Sequence, residues 1–298
     1  MVEMKLCLKN VVLFRPRKII SKLIKFYLKQ KMQREEIMNK VEEILDNFYN
    51  NYDEESRLVR DKTHEIEFIT TTKFIDKYLK TGDKILEIGA GTGRYTIHYA
   101  QKGYKVDAVE LVKKNLDILK SKITKELNVN AIQGNCLDLS MYEDNTFDIT
   151  LVLGPLYHLY TEDDAKKAID ESLRVTKKNG KIIIAYITDD AVVLSYGVRK
   201  GNLKRVPEIC DENWKVKKIA EEVFASYRIE EFDRLVSGFN VQRLETIAAD
   251  GIAPQMQEYI NNLDEEEFAL YVDYHLKNCM RKELMGYSSH VLEIIEKR

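Results

Sequence analysis

This chain has little that sorts proteins by composition alone. Its four cysteines, Cys7, Cys136, Cys210 and Cys279, are scattered through 298 residues without C-x-x-C or histidine-paired spacing. That excludes a disulfide framework and a zinc site as organising elements. There is no run of roughly 18 apolar residues, the length a membrane span needs. The N-terminus interleaves lysines with its apolar residues instead of presenting a clean hydrophobic segment, so neither a membrane span nor a signal peptide is expected, and the expected compartment is cytoplasmic. A net charge of -2 leaves no global footprint for nucleic acid. At 44% hydrophobic and 32% charged, the chain can bury one full α/β core and still has about a hundred residues for additions.

The charge is unevenly spread. The first 31 residues hold nine Lys or Arg against one acid, Glu3, which leaves the remainder near -10. Ile20, Leu23, Ile24, Tyr27 and Leu28 share one helical face with lysines opposite, a basic amphipathic pattern. Such a helix suits a membrane surface or acidic partner, or it packs on the core or on a second copy in a homodimer. It could also be a leader before the true domain, with Met32 as an internal start. Residues 34–79 read as mostly helical.

The informative stretch is Lys84-Ile85-Leu86-Glu87-Ile88-Gly89-Ala90-Gly91-Thr92-Gly93, an apolar strand that runs into glycines at alternate positions. Glycine lets a backbone turn tightly and approach a ligand where a Cβ would collide, and Arg94 onward reads as a helix behind the loop. A dinucleotide loop runs G-x-G-x-x-G to seat a pyrophosphate on the helix N-terminus. Here the order is G-x-G-x-G with Glu87 two residues upstream, and a carboxylate there suits a cationic ligand. Lys105 to Val109 is a second strand ending in Glu110, about 20 residues past the loop, where a ribose diol is held. Residues Asn130 to Asp138 read as a third strand running into a polar loop. Thr146 to Pro155 and Lys181 to Ile187 are nearly continuous apolar runs, as strands of a parallel sheet buried on both faces require. Glu162 to Lys178 has helical spacing and stops at Asn179-Gly180.

The loop and the ordered elements after it resemble the class I, Rossmann-like S-adenosylmethionine (SAM) dependent methyltransferases, well over residues 66–187 and loosely at the ends. The resemblance implies a seven-stranded, mostly parallel sheet with an antiparallel last strand, helices on both faces, and extra N-terminal and inserted helical caps. The expected divisions are a basic leader at 1–31, a helical lid at 32–80, a SAM-binding core at 81–188, and cap insertions with the last two strands at 189–298. Phe239 to Ile247 and Ser289 to Ile295 are the expected sixth and seventh strands. By the same resemblance Glu87, Gly89, Gly91 and Gly93 line the methionine and ribose side. Glu110, with Leu111 beside it, takes the ribose hydroxyls, while Asn135, Cys136 and Leu137 border the adenine. Leu153 offers its carbonyl to the α-ammonium. A helical lid makes Tyr52 and Arg57, with Tyr49, candidates to cover the methionine end.

Past the fourth strand, Leu153-Gly154-Pro155-Leu156-Tyr157-His158 lies at the edge where open α/β sheets bind ligands. It resembles the Asn/Asp-Pro-Pro-Tyr motif of amino methyltransferases, but Gly154 and Leu156 depart from it, which argues against adenine N6 methylation. His158 and Tyr157 are the catalytic candidates, His158 as a general base. The alternatives are a wall residue or support for Tyr157. The reading is methyl transfer from SAM, with S-adenosylhomocysteine as product, to a small molecule. No metal, no nucleic-acid partner and no stable membrane insertion are expected. The inserted segments lack the basic-aromatic interleaving that grips RNA. The alternatives in other classes are an RNA or protein methyltransferase and a non-catalytic SAM-binding regulator.

Overall fold

A buried, mostly parallel sheet organises the chain in the computed structural model, which describes residue 36 and residues 38–298. The basic amphipathic stretch and Met32 lie outside the described residues. The chain divides into two units, Met1–Glu43 and Ile44–Arg298. In the first, residues 38–43 are helical.

The second unit begins with helical residues 44–51 (α1) and a turn, then α2, Lys62–Asp76. Asp61 caps α2 by accepting from the backbone N–H of His64 at 3.0 Å, which satisfies a donor the helix itself cannot. Strand and helix then alternate as β1 (Lys84–Ile88), α3 (Arg94–Gln101), β2 (Lys105–Glu110), α4 (Lys113–Lys122), β3 (Val129–Gln133) and β4 (Phe147–Val152). After β4 come α5 (Glu162–Val175), capped by Thr161, and β5 (Thr176–Thr188). Among shorter helical turns, the later elements include β6 (Ser226–Tyr227), α6 (Ile229–Ser237), β7 (Val241–Ala248), α7 (Gln257–Asn262), α8 (Glu265–Asn278) and β8 (His290–Lys297).

The sheet order is β3-β2-β1-β4-β5-β8-β7, with β6 beside the end of β5. Strands β1 to β5 pair parallel, and β8 runs antiparallel between β5 and β7. This is the Rossmann-like arrangement, with eight strands where the sequence led us to expect seven. The extra one, β6, is two residues long and sits in a stretch whose polar composition carries no strand pattern. The apolar runs behave as parallel strands should: Ile85, Leu86, Val106, Ala108, Leu151 and Ile183 are fully buried. Helix α5 stops at Val175, earlier than the Asn179-Gly180 pair suggests. That pair instead forms an irregularity in β5, where the register with β4 shifts between Phe147 and Ile149.

Strand order reverses between β1 and β4, so the carboxyl ends of those strands open a crevice. The antiparallel β8 starts at the same edge, since His290 pairs with Ile187 near the end of β5.

Candidate functional site

The glycine loop is built the way its sequence requires. Gly89, Gly91 and Gly93 have φ of 71°, 54° and 86°, a region where a side chain is strained. The N–H groups of Gly89 and Ala90 donate to the carbonyl of Val109 at 2.8 and 3.1 Å, which ties the loop to β2. Glu110 completes the tie. Its Oε2 accepts from the Gly91 N–H at 2.7 Å and its Oε1 from the Val112 N–H at 2.8 Å. Burial raises the Glu110 pKa against those two hydrogen bonds. Glu87 lies deeper: it is buried, accepts from the Thr96 hydroxyl, and is pushed up to about 8 by desolvation.

The other expected cofactor residues gather along the same edge. The Gly134 N–H donates to the Glu110 carbonyl at 3.1 Å and the Gln133 amide to the Leu111 carbonyl at 3.0 Å, which joins the ends of β2 and β3. Beyond them Asn135 Oδ1 accepts from the Leu137 N–H at 3.0 Å. Burial pushes the Cys136 thiol up to about 12, so it stays protonated. Leu153 directly follows β4, and Pro155 after it packs on the loop so closely that a Cβ on Gly89 would come within 2.8 Å of its ring.

The segment between α1 and α2 lies over the loop. Glu54 Cγ is 3.6 Å from where a Gly91 Cβ would be. Arg57 Nε donates to Glu54 at 2.9 Å, and its Nη1 donates to both oxygens of Glu67 at 3.0 and 3.1 Å. Tyr52 stacks on Phe48, with ring centroids 5.2 Å apart. Lys114 of α4 donates to the carbonyls of Tyr49 and Asn50 at 2.9 and 3.1 Å, groups that a helix leaves unsatisfied at its C-terminus.

His158 ends a 3-10 turn, Pro155–His158, just past β4. Its Nδ1 lies 2.9 Å from the carbonyl of Val223 and its Nε2 2.9 Å from the Tyr49 hydroxyl. A carbonyl only accepts, so Nδ1 carries the proton and Nε2 accepts from Tyr49. Desolvation drops the His158 pKa to about 4. Val223 itself has φ of 66°, strained for a β-branched residue, and its carbonyl also accepts from Tyr160 at 2.7 Å. The rings of His158, Phe224 and Phe48 pack in sequence, with neighbouring centroids 5.4 Å apart.

This arrangement has a consequence for stability. The folded pKa of His158 is depressed, so its contribution is complete above about pH 6.5 and is lost as pH falls toward 4. The loss amounts to about 3 kcal/mol. Urea denaturation at neutral and acid pH should show the parent losing more stability than His158→Gln; equal losses would mean that the imidazole is not held neutral.

The structure also brings together residues that sequence reading left apart. His290 Nδ1 is 2.7 Å from Asp250 Oδ2 and 3.4 Å from Glu67 Oε2. One potential ligand atom from each of the three lies within 4.8 Å of the others, a separation that a metal ion could bridge. A cation is already in place, however, because the Arg57 guanidinium holds both Glu67 oxygens. Tyr157 stands beside the group with its ring 5.8 Å from that of His290. Its hydroxyl is buried and has no hydrogen-bond partner among the described residues.

Residues 86–184 match a family model described as a methyltransferase domain. Among curated proteins, the demethylmenaquinone methyltransferase of Paenarthrobacter aurescens is 32% identical over 39% of this chain and 43% of its own. A Methanocaldococcus jannaschii protein whose name assigns it provisionally to ribosomal RNA large-subunit methylation is 35% identical over 32% of this chain and 26% of its own. The chain thus spans less than half the length of either relative. In fold, the PH0226 protein of Pyrococcus horikoshii superposes with a TM-score of 0.55 at 16% identity, covering 85% of this chain and 99% of that one. The match at 86–184 covers the glycine loop and β1 to β4 with most of β5, so this stretch is similar to a methyltransferase domain and is seated on a Rossmann-like sheet.

Proposed function

We propose that this protein transfers the methyl group of SAM to a small-molecule acceptor. The observation that carries the proposal is the pairing of Gly91 with Glu110. A Cβ on Gly91 would meet nothing nearer than a flexible glutamate at 3.6 Å, while Glu110 fixes the loop beneath it. That leaves room for a ligand above the loop. Glu110 would take the ribose hydroxyls through the acceptor capacity left beside its backbone donors, Gly91 and Val112, and the Asn115 side chain. Asn135, Cys136 and Leu137 would border the adenine, and the Leu153 carbonyl would face the ammonium. Tyr52 would wall the methionine end, with Arg57 above it. When bound, SAM supplies a methyl on a sulfonium that is already a good leaving group, so the protein's part is to orient the acceptor and exclude water.

The small-molecule reading rests on what lies beyond β4. There α1 and the segment after β5 meet over its carboxyl end through Tyr49, His158 and Phe224, which favours an enclosed acceptor over a polymer groove. A remainder near -10 also repels phosphate-rich chains. With both ring nitrogens engaged, His158 suits a positioning role for Tyr49 and the roof. The RNA alternative is kept alive by one relative's name. Among the described residues no helix is long and apolar enough to cross a membrane.

Two measurements test the proposal. Calorimetry should show SAM and S-adenosylhomocysteine binding at micromolar or tighter levels, and NAD binding without SAM binding would overturn it. Label transfer from methyl-labelled SAM should appear in a metabolite extract. Label in bulk tRNA or rRNA, with none in small metabolites, would promote the macromolecular reading.

A further inference from the structure

Asp250 is held in a single pose. Its Oδ1 accepts from the Ser288 hydroxyl at 2.6 Å and from the N–H groups of Ser289 and His290 at 2.8 and 3.1 Å. Only Oδ2 is left, and it faces His290 Nδ1 at 2.7 Å. A carboxylate so pinned fixes the tautomer and orientation of the ring it touches. With Nδ1–H committed to Asp250, Nε2 becomes the basic atom of the imidazole. Among the described residues no hydrogen bond reaches Nε2. The His290 side chain is 22% exposed, against 5% for Asp250, so the ring is the part of the pair that an incoming molecule meets.

Arg57 supplies a fixed positive charge in this corner. Arg57 from the turn before α2 holds Glu67 of α2, and Glu67 and Asp250 both face His290. Burial lowers the His290 pKa, but the two carboxylates outweigh it and hold the group above its ordinary value. Tyr157 adds a second observation, since it is 6% exposed and its hydroxyl has no hydrogen-bond partner among the described residues. A buried hydroxyl without a partner costs about 1 to 3 kcal/mol, which a bound polar ligand would recover. The corner adjoins the cofactor loop on two sides. Pro155, two residues before Tyr157, packs on Gly89, and Glu54, which pairs with Arg57, lies over Gly91.

We propose that His290, oriented by Asp250, is a catalytic base that takes the proton from an acidic hydroxyl, a phenol or enol, held between its Nε2 and the Tyr157 hydroxyl. The inference rests on the methyltransferase reading and names its substrate class. A hydroxyl can donate its one proton to Nε2 and accept from Tyr157 through a lone pair at the same time. As the O–H bond breaks, its electron pair stays on the oxygen, which becomes the nucleophile, and the proton ends on Nε2 as an imidazolium stabilised by Asp250 and Glu67. A neutral amine attacks through a lone pair it already has and needs no base for that step. A protonated amine would meet Arg57.

The test uses the full chain, methyl-labelled SAM and a metabolite extract, with resonance spectra separating O-methyl from N-methyl and C-methyl products. Label is expected on oxygen. His290→Gln should lower turnover by roughly 100- to 10,000-fold, the usual range for a general base, with SAM affinity within about twofold of the parent. Tyr157→Phe removes a hydroxyl that has no hydrogen-bond partner among the described residues, so it should keep its stability while turnover falls. Apart from activity, the His290 imidazole resonance should titrate above the ordinary range in the parent and fall back in Asp250→Asn. Label on nitrogen or carbon only, or a His290→Gln protein as active as the parent, overturns the inference while the methyltransferase reading stands. Absence of SAM binding in the parent sinks both.

Discussion

Glu110→Ala is expected to weaken SAM binding by roughly ten- to a hundredfold, or about 1.5 to 3 kcal/mol, while the protein stays folded. The carboxylate sits at the end of β2 and makes two backbone hydrogen bonds, to Gly91 and Val112, so it acts on the ligand in two ways. A diol would lose a charged acceptor, and the Gly91 turn would lose the group that orders it before the ligand arrives. The fold itself leans on other contacts, since the loop is also tied by the Gly89 and Ala90 N–H groups to the Val109 carbonyl. Calorimetry reads the affinity, and a melting curve verifies that the variant is folded. A variant that binds SAM as tightly as the parent would mean that the acid of the second strand serves only the loop.

That residue was legible because chemistry and topology coincide in a short stretch. A strand that ends in an acid, a fixed distance beyond a glycine loop, leaves a local pattern. The same holds for β1, β2, β4 and β5, whose burial on both faces forces apolar runs that a reader can see. Other parts left no such trace. Strand β6 exists because Ser226 and Tyr227 lie beside Ile187 and Thr188, a tertiary fact with no periodicity behind it. The segment after β5, expected to be helix-biased, includes a π-helix, Val192–Arg199, and short turns.

Glu67, Asp250 and His290 come from α2, the bend just after β7 and the start of β8, so no spacing joins them. A cue for His290 was available. An antiparallel last strand must begin at the edge where its parallel neighbours end, which puts its first residue at the ligand crevice. For His158 the sequence supplied residue type and place, but the engagement of both nitrogens depends on α1 and on the strained Val223, which only the fold brings to it.

The glycine loop offers the sharpest contrast, because two of its glycines should fail in opposite ways. Gly91→Val is expected to abolish SAM binding, a loss of more than about a hundredfold, in a protein that still folds. A side chain there meets only the flexible Glu54, at 3.6 Å, so the penalty in the free protein is the left-handed backbone at φ 54°, about 1 to 2 kcal/mol. The branched side chain would project into the space left for the ligand. Gly93→Val points the other way, toward the core. Its Cβ would come within 2.2 Å of Leu119 Cδ1 and 3.1 Å of Cγ, and Leu119 is fully buried, packed with Ala90 and Ala108. Overpacking adds to the strain of φ 86°, for a destabilisation of about 2 to 5 kcal/mol. Circular dichroism melts and SAM calorimetry on the two variants separate the effects. If Gly91→Val binds SAM, the loop is not the cofactor cradle. If Gly93→Val melts with the parent, α4 is not packed on the loop as described.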